Sequence, residues 1–252
     1  MPQKPGHLHP LSRIIRDINT VFAELGFVFA DGPEMESTVY NFDMLNVPKD
    51  HPSRDMQDTF YVERADALGE DVVMRTHTSP VQVRYMERFM KEQKEGESGF
   101  PIRVIVPGKV FRNEATDATH EAQFYQLEGL MVDKGISLGH LKGTLEYFFA
   151  KLFGGSVEVR LRPSFFPFVE PGLEVDMRLT GADAPLKLKD RWIEIMGAGM
   201  VHPNVLRGAG IDPTVYQGFA FGMGIDRLAV MRYGVDDVRL FYNGDLRVVS
   251  QF

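Results

Sequence analysis

Gly218-Phe219-Ala220-Phe221-Gly222-Met223-Gly224-Ile225-Asp226-Arg227-Leu228 is the stretch on which the reading of this chain turns. Glycines at 218, 222 and 224 let a ligand approach the backbone, because no Cβ stands in the way. Leu228, Val230 and Met231 then take up helical spacing. The stretch therefore reads as a Gly-rich turn feeding a helix over about 225–233. Arg227 falls at the start of that helix. Its planar guanidinium can lie over an aromatic base or clamp a phosphate, two jobs it does better than lysine. Packing alone would also use such glycines, so a second arginine motif matters.

That motif lies upstream. Phe111-Arg112-Asn113-Glu114 ends one strand, a loop over 115–122 carries His120, and the next strand begins with Phe124. Two antiparallel strands joined in this way can form a nucleotide clamp. Arg112 would hold an α-phosphate bidentately, and Glu114 would accept from an adenine amino group or nearby polar atoms. Phe124 would stack on one face of the base and Arg227 on the other. The plainer alternative is a surface ion pair between Arg112 and Glu114 beside a core phenylalanine.

Around these motifs the hydrophobic pattern fixes the architecture. Leu11, Ile14, Ile15, Ile18, Val21, Phe22 and Leu25 recur every three or four residues, predicting an amphipathic helix closed by Gly26, with Pro10 in its first turn. Residues 31–60 mix Gly, Pro, Asn and Asp with single aromatics and read as irregular with short elements. Ser79-Pro80 opens a second helix, with Ser79 placed to cap it. Residues 91–98 form a charged loop, and Pro107-Gly108 marks a turn. Apolar runs at 102–106, 124–132, 157–161, 173–179 and 192–196 have strand length. Only one good helix, about 138–152, interrupts them. Successive strands without a helix between each pair predict an antiparallel sheet flanked by helices, an α+β fold. Residues 1–10 read as a flexible lead-in to a single domain over 11–252.

Composition narrows the function. Lysine and arginine number 28 against 35 aspartates and glutamates, a net charge of −7, so any contact with a polyanion is local or shared with a partner. The chain has no cysteine, which removes disulfides, thiol chemistry and zinc–thiolate sites. No apolar run reaches the roughly 18 residues of a membrane span, and a cytoplasmic, soluble enzyme is expected.

Phe-Arg-x-Glu with its loop, and Gly-Met-Gly-Ile-Asp-Arg near the end, resemble two signature motifs of class II aminoacyl-tRNA synthetases. More narrowly, the chain resembles the bacterial phenylalanyl-tRNA synthetase α-subunit family. Arg75-Thr76-His77-Thr78-Ser79-Pro80, Thr116-Asp117-Ala118-Thr119-His120-Glu121, Phe166-Pro167-Phe168-Val169-Glu170-Pro171 and Gly199-Met200-Val201-His202-Pro203 follow that family's motifs in order. So many separate matches at consistent spacing are far more specific than one short motif.

The resemblance implies the class II fold and a set of roles. ATP would bind through Arg112 (α-phosphate), Glu114, His120 (γ-phosphate), Phe124 and Arg227, with Arg112, His120 and Arg227 carrying the catalysis. His77, Ser79, Gln126 and Glu128, with Gln82 nearby, would hold the ammonium and carboxylate of L-phenylalanine. Phe166, Phe168 and Val169 would line the aryl pocket over Ala220 and Gly222. Glu170 would bind Mg2+. A phenyl ring favours aromatic neighbours, and a buried ammonium needs a carboxylate and amide oxygens. His202 before Pro203 reads as structural.

The implied reaction joins phenylalanine to ATP, releases pyrophosphate, and passes the acyl group to tRNA(Phe). The carboxylate attacks the α-phosphorus in line, so positioning and charge neutralisation suffice and no general base is needed. Family partners are a β subunit in an α2β2 tetramer, or a second copy of this chain when isolated. Two departures are seen: the chain starts almost at the core, without the family's N-terminal helical arm, and Gln57 stands where some relatives have Trp. Two alternatives accompany this reading. One is a non-catalytic amino-acid-sensing or regulatory paralogue. The other is a truncated core that forms adenylate but charges tRNA poorly.

Overall fold

The glycine stretch proves to be a strand rather than a turn. The computed structural model describes residues 6–55, 58–93, 99–181 and 188–252, so Gln57 and most of the expected 91–98 loop lie outside the described residues. The first half runs α1 (Pro10–Glu24), β1 (Val28–Phe29), β2 (Met35–Ser37), α2 (Thr38–Asn41), β3 (Tyr61–Ala65), β4 (Asp71–Met74) and α3 (Ser79–Glu92). Then come β5 (Ile102–Phe111), β6 (Gln123–Asp133), α4 (Leu138–Phe153), β7 (Val157–Phe166), β8 (Val169–Leu179) and β9 (Ile193–Val201). The chain continues through α5 (Pro203–Gly208), β10 (Gln217–Gly224), α6 (Ile225–Tyr233) and α7 (Leu246–Val249).

Seven strands form one sheet in the order β1-β5-β6-β10-β9-β8-β7. All neighbours are antiparallel except β1, which pairs with β5 in parallel. The expected α+β architecture is therefore present. A small sheet, β2-β4-β3, covers part of the front.

Residues 218–224 sit in the middle of the large sheet because they alternate. Phe219, Phe221 and Met223 point to the back, where they join a core with α1, α4 and α6 through Ile14, Ile18, Phe22, Leu145, Phe148, Ile225 and Leu228. Gly218, Ala220, Gly222 and Gly224 point to the front. This is the period-two pattern of a strand, with glycine on the face that must stay open. Pro107-Gly108, expected as a turn, lies inside β5 for the same reason. Its partner on β6 is Gln126, opposite Gly108. The second core lies on the front, where Phe42, Leu45, Val81, Met86, Val104, Leu130 and Val201 pack together.

Helix α1 starts on Pro10 with His9 accepting from the Leu11 N–H, and Gly26 follows at φ +77°, a left-handed position that suits glycine. The expected strand cores hold, and most extend further than their apolar runs suggested. Ser79 is not the cap of α3. Thr78 takes the N-cap position, and Ser79 is the first helical residue. His202 is structural as expected, accepting from the Asn204 N–H at 3.1 Å to start α5.

Candidate active site

Register brings the site together. Glu128 on β6 lies directly across from Gly222 on β10, and Gly222 lies across from Gly197 on β9. One step along, Leu130, Ala220 and Gly199 form a parallel row. Small residues on two central strands thus leave a trough in the front of the sheet. The strand pair β7–β8 closes one side of it and α3 the other. The resulting cavity has a volume of about 570 Å³.

Twelve of the residues singled out in the sequence line this cavity: His77, Ser79, Gln82, Arg112, Glu114, Gln126, Glu128, Phe166, Phe168, Val169, Ala220 and Gly222. The Phe166 ring lies over Gly197, where a Cβ would come within 2.8 Å of Cζ. Phe166 stacks near Phe168 at 6.0 Å between ring centroids, and Phe168 stacks near His77 at 6.3 Å. An apolar wall of rings therefore ends on a polar group.

At the polar end stands Glu128, only 4% exposed. Ser79 Oγ donates to its Oε2, Gln82 Nε2 donates to the same oxygen at 3.2 Å, and Gln126 Nε2 donates to Oε1 at 2.8 Å. Burial pushes this carboxyl up to about 7, although the Ser79 hydroxyl and the Thr78 and Ser79 amides pull the other way. His77 Nδ1 lies 3.9 Å from Oε1. Burial, reinforced by the positive charge of Arg112, pushes His77 down to about 4, so its ring is neutral at pH 7. Nε2 faces the Asn41 carbonyl at 3.1 Å and so carries the proton, leaving Nδ1 as an acceptor. Nδ1 of His77 and Oε1 of Gln126 are both buried without a hydrogen-bond partner. Buried acceptors without donors are rare and costly. Here two of them flank a carboxylate, and a three-donor cation would satisfy all three.

Arg112 stands just beyond the end of β5 at the mouth. Its guanidinium lies over the Phe124 ring at 5.1 Å, 3.8 Å from the Glu114 carboxylate, and Nε donates to the Thr76 carbonyl at 3.5 Å. Arg112, Glu114 and Phe124 are therefore side by side. Arg227 occupies the first turn of α6 and is exposed. Its neighbour Asp226 is buried and accepts from the Tyr125 N–H at 2.8 Å and from the Tyr242 hydroxyl, which ties the start of α6 to β6. His120 lies on the exposed loop, with Nδ1 3.1 Å from Asp117 Oδ1. Phe124, His120, Arg227 and Glu170 do not line the cavity itself.

Glu170 is exposed, at the irregular pairing between Val169 and Gly172 on β8. Among the described residues no three His, Asp or Glu side chains gather into a metal site.

Three further residues, to which the sequence analysis assigned no role, shape the site. Asn41 holds the Thr76–His77 segment. Arg75, 2% exposed, donates to the carbonyls of Lys109, Gly32 and Pro33. Gly197 makes room for Phe166. A buried arginine serving backbone carbonyls has no periodic signature, and Asn41 looked like an ordinary loop residue. Gly197 was detectable, since Gly197, Ala198 and Gly199 form an unbroken run of small residues.

The whole chain, residues 1–252, matches the family model of the tRNA synthetase class II core domain (F). The chain belongs to the class II tRNA synthetase core family. It is 52% identical over 254 residues to the phenylalanine–tRNA ligase alpha subunit of Bacillus subtilis (strain 168), covering all of this chain and 70% of that protein. It is 53% identical over 251 residues to the alpha subunit of the same name from Macrococcus caseolyticus, covering 98% of this chain and 67% of that one. Pyrrolysyl-tRNA synthetase from Desulfitobacterium hafniense shares the fold at 16% identity, with a TM-score of 0.68 over 93% of this chain and 73% of that one. The class II synthetase fold and the enzyme class expected from the motifs are both borne out: the chain is an aminoacyl-tRNA synthetase of the phenylalanine group. Among the described residues no helix is long and apolar enough to cross a membrane.

Proposed function

We propose that this class II synthetase core binds L-phenylalanine and ATP in the front cavity, forms phenylalanyl-adenylate and pyrophosphate, and delivers the acyl group to tRNA(Phe). The observation that carries the site assignment is the set of buried acceptors. His77 Nδ1, Gln126 Oε1 and the Glu128 carboxylate converge beside a wall of Phe166 and Phe168. An α-ammonium supplies three N–H donors, and a phenyl ring suits the aromatic wall with Ala220 and Gly222 as the floor.

In this reading Ser79 and Gln82 hold Glu128 in place, and the ammonium anchors the substrate so that its carboxylate faces Arg112. ATP enters from the mouth. Arg112 takes the α-phosphate, Glu114 and Phe124 take the adenine side, and His120 and Arg227 reach the phosphate tail from the loop and α6. Phe124 already carries Arg112 over its ring, so nucleotide binding would slide the guanidinium towards phosphate. The attacking carboxylate needs no base. The gain comes from alignment and from cancelling charge on the α-phosphorus. Magnesium commonly binds through substrate phosphates with one or two carboxylates. It would arrive with the nucleotide, Glu170 being the carboxylate the family resemblance offers, and no step here depends on it.

The relatives' name, alpha subunit, supports a β-subunit partner, with an α2β2 assembly as the finer reading and the cytoplasm as the compartment. Light scattering of the chain with and without β tests the assembly. The activity is tested by ATP–pyrophosphate exchange with phenylalanine and with 3-phenylpropionate, which lacks the ammonium. Exchange with the first alone is expected. Exchange with neither, in the presence of β, would remove the assignment, and exchange with both would remove the role of the acceptor set.

A further inference from the structure

Asn41, the last residue of α2, is 0% exposed and touches no residue proposed above to bind phenylalanine except through its backbone. Its side chain grips one residue at two points. Nδ2 donates to Thr76 Oγ1 at 3.1 Å, and Oδ1 accepts from the Thr76 N–H at 3.3 Å. Its own carbonyl accepts from His77 Nε2 at 3.1 Å. Thr76 and His77 lie between β4 and α3, where neither a strand ladder nor a helix fixes the backbone. The segment is therefore held by these bonds.

Its two residues serve opposite ends of the site. The Thr76 carbonyl accepts from Arg112 Nε, and His77 presents Nδ1 towards Glu128. A carbonyl can only accept, so the Asn41 contact forces the proton onto Nε2 and frees Nδ1. We propose that Asn41 is a positioning residue that couples the two half-sites, fixing the His77 tautomer on one side and the Arg112 approach on the other. The proposal rests on the functional reading above and extends it to a residue outside the cavity lining.

The grip predicts a double effect. Losing a purely phenylalanine-side contact would raise KM for phenylalanine alone, and losing a purely nucleotide-side contact would act on ATP alone. Asn41→Ala removes both side-chain bonds to Thr76; the carbonyl at 41 remains, but the segment that carries His77 and the Arg112 acceptor is no longer clamped to it. In exchange assays it is expected to raise the phenylalanine KM and lower kcat, each on the order of 10-fold, since small misplacements of reacting groups are costly. Thr76→Val removes the hydroxyl while keeping the shape and is expected to show the same pattern more weakly. Thr76→Ser, which restores the hydroxyl, should recover most of that loss. Nitrogen NMR of His77 should show the proton on Nε2 in the parent chain and, because the carbonyl at 41 is no longer held against His77 through the Thr76 grip, a tautomer mixture in Asn41→Ala.

Variants that melt lower but keep KM, kcat and the His77 tautomer would overturn the proposal, as would a parent His77 protonated on Nδ1. If Asn41→Ala does not fold, the Thr76→Val and Thr76→Ser pair decides alone: equal kinetics in both overturns it. Glu128→Gln and Arg112→Ala serve as controls. Normal exchange in those two would instead reject the functional reading itself.

Discussion

Gly222 lies directly opposite Glu128 on neighbouring antiparallel strands, and a Cβ there would come 3.2 Å from the Glu128 Cγ and 3.1 Å from Gln126 Nε2. Both neighbours would have to yield by a few tenths of an ångström, in a place where Gln126 and Glu128 already share a 2.8 Å bond. Gly222→Ala should therefore disturb the ammonium site and leave the nucleotide side alone. The expected result is a phenylalanine KM raised on the order of 10-fold, the cost of about 1.4 kcal/mol, with KM for ATP unchanged. Equal rises in both would show that the small residue serves the whole cavity.

Acid should weaken phenylalanine binding. The free protein holds Glu128 up at about 7, and only the ionised form can receive an ammonium. As pH falls below 7 a growing fraction is protonated, so kcat/KM for phenylalanine should fall towards tenfold per unit. His77, held down at about 4, stays neutral through this range and adds no step. Stability runs the opposite way. The folded pKa lies above the ordinary 4.5, so the folded chain holds the extra proton between these values and this group favours folding as pH falls from about 8 to 5. Steady-state rates and melting curves across pH 5.5–8 check both signs.

The antiparallel sheet, α1, α3, α4 and α6 were all legible, because their apolar residues keep helical or strand periods. The central strand β10 was not. Its alternation of Phe219, Phe221 and Met223 with small residues is a strand pattern, but glycine density reads locally as a turn. The pairing partners on β6 and β9 decide the matter, and those are far away in sequence. β3 was missed because a short, charged edge strand such as 61–65 carries little apolar signal, and β4, central in the small sheet, because its apolar run is only Val72–Met74. In the site, twelve of the residues named from the family motifs line the cavity. Asn41 and Arg75 escaped because their work is hydrogen bonding to backbone, which leaves no spacing to detect.

Gly129 faces the other side of the sheet. Its strand partner is Phe221, and a Cβ on Gly129 would run into the Phe221 ring, which is buried in the back core. Overpacking of this kind typically costs about 1–3 kcal/mol. Gly129→Ala should lower the melting temperature clearly while a fully folded fraction keeps its KM values. An unchanged melting curve would mean that Phe221 can move aside freely.

In the proposed site, Ala220 would set the depth of the aryl pocket. It lies across from Leu130 and Gly199 and lines the cavity together with Met86, Val201 and Val205. Ala220→Gly removes a methyl worth about 0.8 kcal/mol of burial and opens space towards that apolar wall. Exchange kinetics should show para-chlorophenylalanine improving relative to phenylalanine. An unchanged ratio would place the ring elsewhere.

The most direct test compares phenylalanine-dependent ATP–pyrophosphate exchange in the parent chain, Glu128→Gln and Arg112→Ala, each with β present and with folding verified by melting. Exchange should be robust in the parent. In Arg112→Ala, kcat should fall on the order of 10²–10³-fold, as expected for a lost transition-state charge partner. Glu128→Gln should raise the phenylalanine KM on the order of 10²-fold, the cost of a lost buried charge pair, and leave KM for ATP in place. Parent-like exchange in both folded variants would contradict the placement of phenylalanine and ATP in this cavity.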